Sequence, residues 1–210
     1  MVKNYFKIAW RNLKANKFYS IVNISGLAVG LATGIMLLLW VQNEFSYDTF
    51  NKQYKNIYQV NSHITFLDGK SLAWQGAPGP LSMWAKNIPG VMSVLRLVSD
   101  NENPTLADKM LSGIDNTKAF DNNNIVYADS NFLNFFDYQL LKGDRNNFLP
   151  NAYSVAITQS TAKKLFDTDD AIGKVVRFDK NSFTVTAVLQ DFPHNSSLQY
   201  DAIFPVAYYA

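Results

Sequence analysis

No cysteine occurs in this chain of 210 residues, and only two histidines do. Disulfides, thiolate nucleophiles and cysteine-bound metals are therefore excluded, and stability has to come from packing. His63 and His194 lie far apart, one on the polar face of an expected strand and one in a loop, and neither has the spacing of a metal motif. Acidic residues are missing from the first 43 positions, and residues 18–43 carry no charge of either sign.

That uncharged run, FYSIVNISGLAVGLATGIMLLLWV and its flanks, is long enough at 1.5 Å per residue to cross a hydrocarbon core of about 30 Å. A cleaved signal peptide has a core of about 7 to 15 residues ending in small side chains, whereas this run ends in LLLWVQNEF. The reading is an uncleaved anchor. Lys3, Lys7, Arg11, Lys14 and Lys17 precede it, and clustered bases are retained on the cytoplasmic side. The chain is thus expected to cross a membrane once, with its N-terminus cytoplasmic and everything after about residue 43 extracytoplasmic. Three segments follow from this: 1–17, 18–43 and 44–210. Five of the 19 basic residues and none of the 17 acidic ones lie in the first 17 positions, which leaves 14 against 17 in the remainder. The basic character belongs to the tail, so a nucleic-acid footprint is not indicated.

Within the tail, Phe6, Trp10 and Leu13 share one helical face, while Lys3, Lys7, Arg11 and Lys14 recur on another. This is the pattern of an amphipathic helix lying in the cytoplasmic interface, aromatic side toward the lipid bilayer and bases toward anionic headgroups. Trp10 and Lys17 complete this interface anchor. Within the span, Gly26, Gly30 and Gly34 fall on one stripe, where another backbone can approach closely. Asn23 and Thr33 could bond a neighbouring helix, although Thr33 could equally bond its own backbone. Partner helices are expected, in the rest of a longer chain or in a second copy.

Beyond the span, Asp48 is expected to cap a short helix through residue 55. Tyr58, Val60, Ile64 and Phe66 alternate with polar residues, the period of a half-buried strand. Asp68-Gly69 reads as a hairpin turn returning through Leu72 and Trp74. Pro80 begins a helix of about nine residues that Pro89-Gly90 ends, and a strand follows over 91–98. Met83 and Trp84 on that helix suit either a partner site or buried packing. Residues 99–124 are polar and read as loops with short strands. A strand over 125–128 leads to a helix capped by Asp129 or Ser130 and carrying Phe132, Leu133, Phe135 and Phe136, and 138–141 runs extended to Gly143. Strand 154–157 leads to a helix capped by Thr158. Residues 174–178 and 183–188 form a hairpin around 179–182, and a last strand starts at 201. The order predicts an α+β fold: an interfacial helix and one transmembrane helix, then a mixed domain with small sheets covered by helices.

Chemistry-bearing motifs are not found. Gly69-Lys70-Ser71 ends like a phosphate loop, but the first glycine of that motif would be Ile64. Asp167, Asp169 and Asp170 open like a calcium loop, but Phe178 stands where a bidentate Glu is required. No G-x-S-x-G elbow is present. No catalytic residue, cofactor site or metal site is assigned.

The segments KNYFKIAWRNLKANKFYSIVNISGLAVGLA and LLLWVQNEFSYDTFNKQYKNIYQV resemble the N-terminus of ABC-transporter permeases of the MacB/FtsX type, in their large Bacteroidetes-like form. GPLSMWAKNIPGV, IVYADSNFLNFFDYQLLKGD, SVAITQSTAKKLFDTDDAIGKVVRF and FTVTAVLQDFPHNSSLQYDAIFPV are similar to successive elements of that family's periplasmic core domain. The resemblance implies a permease paired with a separate cytoplasmic ABC ATPase, which binds the ATP. Nucleotide-driven ATPase dimerisation would move the membrane helices and through them the periplasmic domain, to export or extract hydrophobic, peptide or lipid-linked cargo. A periplasmic partner protein is also implied. Such permeases have four or eight spans and this chain shows one, so the residues read as the N-terminal part of a longer permease. Two other readings compete: a single-pass sensor or adhesion protein, and a regulator of cell-wall hydrolases.

Overall fold

The computed structural model describes residues 2–99, 110–113, 119–121, 124–178 and 180–209. The chain forms two compact units, residues 1–47 and 48–210.

The first unit is helical. Helix α1 (Val2–Ala15) and helix α2 (Lys17–Phe45) are separated by Asn16, whose φ of −114° and ψ of 59° break helical geometry. No residue of α2 is buried. It is long and apolar enough to cross a membrane. Thr33 donates its hydroxyl to the Val29 carbonyl at 2.9 Å, so it satisfies itself along its own helix.

In the second unit, a mixed sheet of nine strands is built from β3 (Leu97–Ser99) to β11 (Ala202–Pro205). Its order is β3, β6 (Ile125–Ala128), β11, β8 (Ser154–Thr158), β10 (Asn181–Leu189), β9 (Val175–Phe178), β4 (Met110–Gly113) and β5 (Ala119–Asp121). Strand β7 (Leu140–Gly143) pairs with the far end of β10. Strands β6, β8 and β11 are buried on both faces, in keeping with the unbroken apolar residues of β6 and β11 and of Val155–Ile157 in β8 in place of an alternating pattern. One face carries Ile125, Tyr127, Val155, Ile157 and Phe204 beneath helix α5 (Gln159–Phe166). The other carries Val126, Ala128, Ala156 and Ile203 with Phe132, Phe136, Tyr138 and Phe148.

Strand β10 sustains three pairings because β9 and β7 share one edge, over residues 181–184 and 187–189, while β8 takes the other, and it also changes phase. Its parallel register with β8 shifts between Val185 and Ala187, so Thr186 is the extra residue of a bulge. The Thr186 hydroxyl donates to the Phe148 carbonyl at 2.9 Å. Val185 and Val188 consequently face one core while Ala187 and Leu189 face the other.

Thr158 caps α5 as expected, accepting from the Thr161 amide at 3.3 Å. The β9–β10 hairpin also forms, with Lys180 at φ 64°, although position 179 lies outside the described residues. The two-stranded hairpin of β1 (Ser62–Thr65) and β2 (Ser71–Trp74) turns at Gly69, with φ of 80°. Elsewhere the expectations need correction. The strand read from the alternation over 58–66 is paired only over β1, and its apolar side chains, Tyr58, Val60, Ile64 and Phe66, are exposed. Period two records which side chains share a side, and no described residue covers that side. The helix after Pro80 is α3 (Leu81–Ala85), five residues long, and Met83 and Trp84 are 71% and 72% exposed. The strand expected over 91–98 is confined to β3. Within 99–124, β4 and β5 form, and residues 100–109, 114–118 and 122–123 lie outside the described residues. After β11 the chain turns into a short helix, α6 (Val206–Tyr209).

Neither Asp129 nor Ser130 caps the helix that carries Phe132. Asn131 stands at the cap of α4 (Phe132–Phe135) without a side-chain cap bond. Asp129 is engaged by Arg96 instead: Arg96 Nε lies 3.1 and 3.0 Å from its two oxygens, Nη2 at 2.6 Å, and the Arg96 amide at 3.0 Å. Burial pushes the Asp129 carboxyl up, but the Arg96 bonds and charge outweigh it and hold the carboxyl below its ordinary value. A depressed folded-state pKa contributes stability that is present above the unfolded carboxylate range and lost as pH falls through the folded value. Chemical denaturation should therefore show Asp129→Asn destabilising at pH 7, with the gap to the parent closing below about pH 4. A gap that is constant with pH would remove the ion pair from the account.

Candidate functional site

The first candidate region is the helical unit, residues 1–47, described by itself. On α1 the bases and aromatics adjoin rather than oppose: Lys3, Phe6, Lys7 and Trp10 line one shallow depression, and Lys14 Nζ sits 5.4 Å from the centre of the Trp10 ring. Long basic stems beside aromatic rings suit an apolar–aqueous boundary, where the charged ends reach outward and the rings stay in contact with apolar material. Arg11 and Lys17 are exposed along the same unit. Gly26, Gly30 and Gly34 are open: beyond the adjoining backbone of its own helix, a methyl group added at any of them would meet no atom of the described residues within 4 Å.

The second candidate region lies just past α2, where the sequence predicts a helix capped by Asp48. Residues 46–53 form turns instead, followed by a single 3₁₀ turn at Tyr54–Asn56. Asp48 adopts φ of 57°, a left-handed conformation that Asp tolerates better than most side chains. Its carboxylate reaches across the fold. Oδ1 accepts from the Ser197 amide at 3.0 Å and the Ser196 hydroxyl at 3.3 Å, and Oδ2 accepts from the Ser197 hydroxyl. The Asp48 amide donates to the Asn195 carbonyl at 2.9 Å.

Three residues on, the chain is held again. Asn51 Oδ1 accepts from the Asp137 amide at 3.0 Å, while the Asp137 carboxylate accepts from the Lys52 amide at 2.7 Å. Between the two holds, the Phe50 ring packs 5.1 Å from the Tyr138 ring, and the Tyr138 hydroxyl lies 2.8 Å from the Ser196 oxygen. Asn51, Tyr138 and Ser196 are each 3% exposed. Burial pushes the Tyr138 phenol well above its usual range, so it stays a neutral hydrogen-bonding group. The Phe192 ring packs against the same ring with centres 4.3 Å apart and planes tilted by 54°.

The structure thus brings together residues that the sequence reading kept apart. FSYDTFNK supplies Asp48, Asn51 and Lys52, and FPHNSS supplies Phe192, Asn195, Ser196 and Ser197. The available signal was the polar density of both segments beside aromatics, but nothing local pairs them. The remaining sequence candidates stay separate. His63 and His194 are exposed. Asp170 meets Lys142 at 2.9 Å and Asp169 meets Lys163 at 3.4 Å, which is surface pairing rather than an ion cage. Among the described residues no group of three or more His, Cys, Asp or Glu side chains could hold a metal ion. The arrangement is suited to holding backbone in place.

The profile of the MacB-like periplasmic core domain family matches residues 20–210. A domain of a protein described as a permease, from Porphyromonas gingivalis, superimposes with a TM-score of 0.54 at 25% identity, covering 65% of this chain and 61% of that one. The periplasmic region of MacB from Actinobacillus actinomycetemcomitans gives 0.45 at 18% identity, over 60% of this chain and 54% of that one. The extracellular domain of the ABC-type transporter YknZ from Gram-positive bacteria gives 0.41 at 20%, over 59% of each chain. The chain therefore spans about three-fifths or less of the length of these domains. No curated protein matches significantly. With the profile running from inside the apolar helix through the whole α+β unit, the chain belongs to the MacB-like periplasmic core domain family.

Proposed function

We propose that the chain is part of a permease subunit of an ABC transporter, in which ATP hydrolysis by a separate cytoplasmic ATPase moves the periplasmic domain through the membrane helices. The observation that carries this reading is the family match, which begins within α2 and continues unbroken to residue 210. Helix and domain are therefore one unit of descent, as expected if motion of one serves the other. In this reading α2 spans the inner membrane once. The bases of α1 hold the N-terminus at the cytoplasmic face against anionic headgroups, and residues after about 43 are periplasmic. The cargo is hydrophobic, peptide or lipid-linked, and the movement is a two-state rearrangement biased by nucleotide. No chemistry on the cargo is asked of this chain.

The stripe of Gly26, Gly30 and Gly34 is the surface on which further permease helices, or a second copy, pack. Affinity purification from native membranes tests both points. The unsubstituted protein brings down an ABC ATPase, and Gly30→Leu reduces the recovered partner helices and ATPase about tenfold, because a bulky side chain blocks close backbone approach while leaving insertion intact. Purification free of any ATPase would overturn the transport reading. Full recovery with Gly30→Leu would instead leave the stripe facing lipid.

A further inference from the structure

We propose that residues 48–52 form a fixed joint that passes displacement of the apolar helix into the sheet, with Asp48 and Asn51 as its positioning residues. This deepens the coupling reading above and rests on it. Helix α2 ends at Phe45, three residues before Asp48, so the backbone that leaves the helix enters the domain at this stretch. A loose tether would absorb any displacement of the helix.

The stretch is gripped at two points that lead to different strands. Asp48 holds residues 195–197, in the connection between β10 and β11. Asn51 and Lys52 hold Asp137, in the connection between α4 and β7, and β7 is itself paired to β10. One grip would leave a swivel, whereas two restrain rotation as well as translation. The grips are tied to each other through Phe50, Tyr138 and Ser196. Asn51, Tyr138 and Ser196 are buried and anchor the joint from inside, while the bonds to the Lys52 and Ser197 amides lie at the surface.

The left-handed backbone of Asp48 allows the carboxylate to be removed without straining the turn. Glycine adopts that conformation freely, and asparagine tolerates it while keeping one acceptor oxygen. Asp48→Gly therefore removes the carboxylate's bonds to Ser196 and Ser197 while leaving the backbone bond to Asn195, and Asp48→Asn restores part of what is lost. Hydrogen exchange is measured on the membrane-reconstituted protein, by itself and with its ATPase, with and without a non-hydrolysable ATP analogue. The Lys52 and Ser197 amides exchange at least about 100-fold more slowly than unbonded amides. Asp48→Gly raises the Ser197 rate about 10- to 100-fold, the range for a lost bond to a charged group, and Asp48→Asn recovers part of the protection. In the complex, nucleotide alters exchange across residues 190–200 of the parent. Asp48→Gly abolishes that response while ATP hydrolysis continues.

Lys52 and Ser197 amides that exchange like unbonded ones would overturn the joint, and so would a nucleotide response that survives Asp48→Gly. A parent complex with no nucleotide response would sink the ATP-coupled reading instead, leaving the joint to be judged by amide protection and the asparagine rescue.

Discussion

Gly143→Ala lowers the thermal midpoint of the α+β unit by about 10 °C, corresponding to about 4 kcal/mol. Two costs add. Gly143 has φ of 110°, a region that side chains with a Cβ rarely enter. The added methyl would also lie 2.6 Å from the Thr186 carbonyl oxygen and 3.0 Å from the Ala187 Cα. Both atoms are backbone, and they belong to the bulge where β10 changes phase, so neither can rotate away. Relief requires β7 to leave β10, which uncovers the core around Leu189. Gly173→Ala is the control. Gly173 also has positive φ, 77°, but a methyl there meets nothing within 4 Å, so its loss is limited to backbone strain of about 1 kcal/mol. Equal midpoints for the two variants would show that β7 yields easily and that the close approach has no structural consequence.

Phe204→Ala costs a similar amount, about 3 to 5 kcal/mol, for a different reason. Phe204 lies on β11 with no exposed surface. Its ring centre is 4.9 Å from that of Phe178, 4.7 Å from Phe183 and 6.0 Å from Tyr127. Truncation leaves a cavity among three rings fixed on three other strands, and strands paired on both sides cannot close over it. Equilibrium denaturation measures this, with Met92→Ala as the comparison, since Met92 is wholly exposed and should change stability by less than about 0.5 kcal/mol. A loss below about 1.5 kcal/mol for Phe204→Ala would mean that the aromatic cluster repacks and is not the rigid centre of the sheet.

These two positions differ in how far they can be read from sequence. Phe204 sits in AIFP, a continuous apolar run, and such runs announce strands buried on both faces. The same reasoning places β6 and β8, and Thr158 announces α5 because an N-cap is a local bond between a side chain and the third amide beyond it. Gly143 is legible only as the end of an extended segment. Its intolerance of a side chain arises from β10, some forty residues away, and from a bulge that no local pattern marks. Asp48 is the clearest misreading. An aspartate ahead of a polar stretch fits a helix cap, yet its acceptors are equally good for donors 148 and 149 positions away. Asp129 repeats the lesson, with Arg96 33 positions before it. Tyr58 to Phe66 shows the converse error, since alternation was present and a covering surface was not.

The sequence by itself determined the long apolar helix, the basic tail before it, the mixed α+β character beyond it and the family resemblance. Each of these depends on which residues are near one another along the chain: unbroken hydrophobicity, periodicity, capping and the order of segments. Tertiary structure alone decided that FSYDTFNK meets FPHNSS, that β10 serves three partners, and that the Phe66, Trp74 and Trp84 side chains stay uncovered by the described residues. Those outcomes are competitions between donors, acceptors and apolar surfaces that only the closed fold brings within reach, so no local pattern could select among them.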